Sequence, residues 1–124
     1  MAFIRELLES RRFNALEPNE RSIVFYAEDA AEAIVLATER YEGSEPVNIG
    51  AGFEISIKDL ADKIVSIMEF QGKIIWDKTK PNGQLRRCLN VERAKKEFGF
   101  SAQTAFVEGL EKTIKWYYQS RKKA

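Results

Sequence analysis

A chain of 124 residues, 44% hydrophobic and 31% charged, is sized for one compact domain or one piece of a larger one, and its composition excludes wholesale disorder. The 20 Lys and Arg against 19 Asp and Glu leave a net charge of +1, which offers no general attraction for nucleic acid or an anionic membrane. The lack of histidine removes Ser-His-Asp catalysis and most zinc sites, and the single cysteine, Cys88, precludes an internal disulfide and favours an intracellular setting.

Residues 1–12 (MAFIRELLESRR) place Phe3, Ile4, Leu7 and Leu8 at helical spacing, but Arg5 and Glu6 interrupt the apolar run. The segment is therefore expected to be a short amphipathic helix rather than a signal or a membrane span, and a cytoplasmic protein is expected. Residues 14–21, with Pro18, read as a loop, and residues 22–26 (SIVFY) as a strand. Glu28 and Asp29 put acidic charge at the start of an alanine-rich helix, where the dipole favours it. Its packing face is predicted to run along Ala30, Ala33, Ile34, Ala37 and Thr38, ending near Gly43.

A second strand is expected over residues 46–49 (PVNI), followed by a Gly50-Ala51-Gly52 turn. Ser56, with Asp59 three positions on, is a good N-cap for a helix that buries Ile57, Leu60, Ala61, Ile64, Val65 and Met68. Residues 73–76 (KIIW) form a third strand, residues 77–83 a loop, and residues 86–89 an extended run in which Cys88 is expected to be a packed structural thiol. Asn90 can cap a short helix ending near Gly99, and Thr104 can cap a last helix carrying Phe106, Leu110, Ile114 and Tyr117. Strands alternating with about five helices predict α/β layering, with a sheet too small to close on itself.

Three motifs bear on chemistry. Gly50-x-Gly52 between a strand and a helix suggests a dinucleotide loop, but the third glycine of that fingerprint is replaced by Ile55, so a plain turn is the better reading. Tyr118 and Lys122 have the spacing of a Tyr-x-x-x-Lys pair, but they stand in a charged tail where such spacing arises by accident. Lys78, Lys80, Arg86 and Arg87, with an Asn82-Gly83 turn between them, supply four cations within ten residues. Such a loop suits a diphosphate, because arginine offers a planar fork of donors and lysine a point charge. Local chemistry by itself leans instead to a solvated loop whose arginines pair with surface acids.

Taken together, the segments resemble a family. Residues 25–33 (FYAEDAAEA) are similar to the YVxDxAxA helix start of extended short-chain dehydrogenase/reductases, residues 47–52 (VNIGAG) to their NxGxG turn, and residues 56–61 (SIKDLA) to SIKELA. Residues 76–83 (WDKTKPNG) look like the WDTSKPDG loop of the GDP-L-fucose synthase branch, and residues 86–90 (RRCLN) like RKxLD. Gly99-Phe100 and the run from Glu108 to Tyr117 match the branch's closing pattern.

The resemblance implies a C-terminal fragment of an extended Rossmann-type NAD-dependent epimerase/dehydratase, with an incomplete sheet. Residues 22–124 would be the substrate-binding portion and residues 1–21 a divergent helix and loop. In the family the N-terminal half holds NADP(H) and the catalytic Ser, Tyr and Lys, so this chain alone is expected to bind no cofactor, to hold no catalytic residue and no metal, and to be inactive. Lys73, Lys80, Asn82, Arg86 and Arg87 are the residues implied to face a GDP-sugar. Asn82 and Asn90 replace the family's usual aspartates, and Leu85 a frequent proline. The alternative is a non-catalytic interaction module, forming a homodimer or docking on a separate Rossmann subunit.

Overall fold

The computed structural model describes residues 12–15, 19–76, 79 and 85–123. Four helices organise it: α1 (Ala27–Arg40), α2 (Ile57–Ile67), α3 (Glu92–Phe98) and α4 (Phe106–Lys123). Four short strands accompany them: β1 (Arg12–Ala15) and β2 (Arg21–Ser22) before α1, β3 (Ile55–Ser56) before α2 and β4 (Lys73–Trp76) after it. The helix expected near the N-terminus falls outside the described residues.

Helix α2 forms where its sequence demands. The Ser56 hydroxyl accepts the Asp59 amide at 3.0 Å, which satisfies one of the orphan donors at the helix start. Ala61 and Ile64 are then buried against Ile114 of α4, with Leu60, Val65, Ile74, Trp76 and Leu110 packed around them. On the opposite side Lys58 and Asp62 make an exposed i,i+4 pair at 2.8 Å.

A second cluster joins α1 to α3. Ala33 and Ala94 are fully buried, so the two helices approach closely, and Phe98 and Phe100 fill the space beside them. Helix α3 ends as expected on Gly99, whose φ of 72° lies in the left-handed region; its amide donates to the Lys95 carbonyl and that of Phe100 to the Ala94 carbonyl. At the other end the Asn90 side chain accepts the Glu92 amide at 3.0 Å.

The sheet content differs in detail from the sequence expectation. Residues 12–15 pair in parallel with β4, Arg12 opposite Lys73 and Ala15 opposite Trp76, so Asn14 and Ala15 belong to a strand and not to a loop. Of the run over residues 22–26 only Ser22 is in a ladder, with Arg21, antiparallel to β3. On the Glu20 side the ladder gives way to α2, which begins directly after Ser56, and the Ile57 amide donates to the Glu20 carbonyl; beyond Ser22 the partner segment leads back through Glu54 and Phe53 to the Gly52 turn. Residues 46–49 form no ladder among the described residues; Val47 and Ile49 pack their side chains on the Phe98 cluster.

On α1, Ala30, Ala33 and Ala37 do face inward together with Leu36, but Ile34 is 61% exposed and Thr38 is exposed. The buried face is rotated toward Asp29 and Leu36. Cys88 is exposed, not packed, because its segment runs along the surface. Thr104 also departs from its expected role: it bonds Asp29 through both its amide and its hydroxyl.

Candidate functional site

Strand β2 is the centre of the site. On one side it pairs with β3, and on the other Arg21 bridges in parallel to Arg86. The Arg21 amide donates to the Leu85 carbonyl and the Arg87 amide to the Arg21 carbonyl, both at 3.0 Å. Backbone pairing thus brings two arginines, distant in sequence, side by side at neighbouring strand positions, about 5 Å apart in the hydrogen-bonding direction.

Between them stands Glu54. Arg86 Nε donates to its carboxylate oxygens at 3.0 and 2.8 Å, and Arg21 Nε lies 3.1 Å from Oε1. A terminal nitrogen of Arg21 also donates to the Glu54 carbonyl at 3.4 Å. The Glu54 side chain is only 16% exposed, whereas those of Arg86 and Arg21 are 68% and 46% exposed. The Arg86 hydrogen bond, with Coulombic help from Arg86 and Arg21, holds the Glu54 carboxyl below its usual range despite an opposing desolvation.

Of the residues implied by sequence, Arg86 joins this cluster. Arg87 takes part through its amide and is exposed. Successive side chains on an extended segment leave opposite faces, so the pair brought together is Arg21 with Arg86, not Arg86 with Arg87. Lys73 is exposed at the entry end of β4, the far end from residues 77–84, roughly 10 Å along the strand from Trp76. Lys80 and Asn82 lie outside the described residues.

The glycine turn lies against the segment that leads into α3. A side chain at Gly50 would meet Val91 and Leu89 at 3.5 and 3.6 Å, so one side of the turn is closed by packing. Gly52, with φ of 78°, serves the reversal that leads into β3. Tyr118 and Lys122 are both exposed on α4.

Sequence reasoning passed over Arg21 and Glu54. It also passed over a cleft of about 780 Å³ between α4 and the start of α1, lined by Tyr26, Phe53, Leu60, Phe106, Leu110 and Trp116 among others. Lys112 stands over the Tyr26 ring at 5.8 Å and pairs with Glu108 at 2.7 Å, while Trp116 is 58% exposed. The only trace in the sequence is the apolar density of α4 beyond its core-facing positions.

No family model matches the chain. It is 33% identical over 96% of its length to "probable GDP-L-fucose synthase 1" of Oryza sativa subsp. japonica, of which it spans 38%. It is 38% identical over 71% of its length to a GDP-L-fucose synthase of Sinorhizobium fredii, spanning 28% of that protein. In fold it is similar to the UDP-glucose 4-epimerase of Thermotoga maritima, solved with UDP-glucose, with a TM-score of 0.88 at 20% identity. That match covers 97% of this chain and 39% of the epimerase. The chain therefore spans less than two fifths of the length of these relatives.

Proposed function

We propose a binding rather than a catalytic role for this chain, which belongs to the NAD-dependent epimerase/dehydratase family of extended short-chain dehydrogenase/reductases and corresponds to the C-terminal part of its GDP-L-fucose synthase branch. In this reading it supplies one wall of a nucleotide-sugar pocket. The diphosphate sits against Arg86 with Arg21 beside it, and Lys73, Lys80, Asn82 and Arg87 contribute around it. Residues 22–124 make up most of the binding portion, with Arg21 joining it from the preceding segment and β1 lending a strand to β4. The proposed setting is cytoplasmic; among the described residues no helix is long and apolar enough to cross a membrane.

The observation that carries the reading is the convergence of Arg21 and Arg86. Two guanidiniums at paired strand positions repel unless an anion lies between them. Glu54 neutralises one of the two charges and leaves the other available to a phosphate. The complete family enzyme works with NADP(H), and the resemblance assigns its reacting Ser, Tyr and Lys to the N-terminal half. The chain by itself is therefore inactive.

Calorimetric titration with GDP or GDP-mannose is expected to register binding, weakened about tenfold or more by Arg86→Ala, since one charge-assisted contact to phosphate is lost. Affinity unchanged in both Arg86→Ala and Arg87→Ala would remove the diphosphate role. Supplied with NADPH and GDP-4-keto-6-deoxymannose, the chain should give no turnover above background; clear turnover would overthrow the non-catalytic reading.

A second reading, a module that docks on a separate Rossmann subunit or on its own copy, is favoured by the α4 cleft. An apolar cleft carrying a Trp more than half exposed is unusual surface for a monomer. Sedimentation at micromolar concentration is the check: a well-behaved monomer argues against the homodimer.

A further inference from the structure

We propose that Glu54 is a positioning residue for Arg86, holding the guanidinium in the orientation in which it meets an anionic ligand. The inference rests on the pocket reading above and adds a residue that neither the sequence motifs nor the comparisons assign.

The geometry separates a positioning partner from a competitor. Both Glu54 oxygens take the same Arg86 nitrogen, Nε, at 3.0 and 2.8 Å. That leaves the two terminal nitrogens of Arg86 without a partner among the described residues, on a side chain 68% exposed. A carboxylate occupying the ligand's own place would engage the fork of terminal nitrogens, as carboxylate and phosphate forks do. Here the carboxylate sits behind the guanidinium, at the stem side.

Glu54 is itself fixed. Its side chain is largely sheltered, its carbonyl accepts from Arg21, and Ile55, next in sequence, pairs with Ser22. Arg21 spends its Nε and a terminal nitrogen on Glu54, so it braces the carboxylate while Arg86 faces outward.

Glu54 also places a negative charge near any bound phosphate, which opposes binding. That cost is the smaller effect, because charges this near the surface are screened by water and salt. A loose arginine must instead be frozen out of many rotamers when the ligand arrives, and a second guanidinium next to it would drive it away.

The test is GDP titration of the full chain as wild type, Glu54→Gln, Glu54→Asp and Arg86→Ala, with thermal melts of each. Glu54→Gln is expected to weaken GDP binding about fivefold or more, with Glu54→Asp intermediate because it keeps the charge on a shorter arm. In ¹H–¹⁵N spectra the Arg86 Nε–H signal should move toward the free-arginine position in Glu54→Gln even without ligand, a change that loss of stability alone would not produce. Glu54→Gln binding GDP as well as the wild type, or better, overturns the positioning role and leaves the pocket reading standing. A wild type that binds no GDP, with Arg86→Ala no different, overturns the pocket reading and the positioning role with it.

Discussion

Phe98→Ala is expected to lower the unfolding free energy by about 3–5 kcal/mol, the usual cost of truncating a buried phenylalanine. Phe98 is 3% exposed at the end of α3, with Ala33, Ala94 and Phe100 in the same cluster and Tyr41 edge-on at 5.8 Å. Tyr41 is in turn tethered through its hydroxyl to the Glu45 carbonyl at 2.7 Å, so the ring cannot easily collapse into the vacated space. Since native domains are stable by only about 5–15 kcal/mol, the loss would remove a large share of the total. In urea, with a slope of roughly 2 kcal/mol/M, the midpoint should fall by about 2 M. Trp116→Ala removes more atoms, but from a side chain 58% exposed. Its midpoint should move far less, because surface substitutions typically change stability by only about 0.5 kcal/mol. Equal shifts in the two variants would mean that the α1–α3 cluster is not the core it resembles.

What could be read from the sequence follows from the range of the interactions involved. Helix α2 was legible because a cap, a first-turn acid and an apolar stripe all lie within 13 residues, from Ser56 to Met68. The end of α3 was legible because the left-handed turn there asks for a residue such as Gly99. The short strands were not, since a strand exists only where a partner stands. Residues 22–26 have strand composition throughout, yet β3 pairs only Ser22 of them, through Ile55.

The site divides in the same way. Arg86 was marked by its place beside the family-like loop. Glu54 and Arg21 were not, because they are 33 residues apart and meet only through the β2–β3 pairing. Read alone, Glu54 is one more acid after a glycine turn. Local chemistry suggested that the arginines would pair with surface acids, and Arg86 does; the carboxylate takes its Nε and leaves the rest of the fork outward. Cys88 misled because apolar neighbours in sequence, Leu85 and Leu89, gave no measure of which face of the extended segment would be covered. Leu85 itself is 69% exposed.

Asp29→Ala is expected to cost roughly 2–3 kcal/mol, through the partly buried partners it would strand rather than through lost volume. Asp29 is 5% exposed in the first turn of α1, and it is the acid of the motif that resembles the family's helix start. Such an acid, in a family of enzymes, invites a catalytic reading. Its two oxygens are instead committed to Thr104, Oδ1 accepting the hydroxyl at 2.9 Å and Oδ2 the amide at 3.1 Å. Thr104 is 75 residues away and lies two residues before α4, so the pair fastens the start of α1 to the approach to α4. The negative charge at a helix N-terminus adds a favourable dipole interaction. Alanine leaves the amide and the hydroxyl of Thr104 without an acceptor, whereas asparagine keeps one oxygen and turns a donor toward the other group. Asp29→Asn should therefore lose about half as much, near 1–2 kcal/mol. Urea unfolding of the two variants, with Thr104→Val as the reciprocal change, measures the clamp, and GDP binding by the protein that remains folded should be unaltered. An Asp29→Ala variant within about 0.5 kcal/mol of the wild type would show that the carboxylate is dispensable to the fold, and its burial would then call for a role in binding.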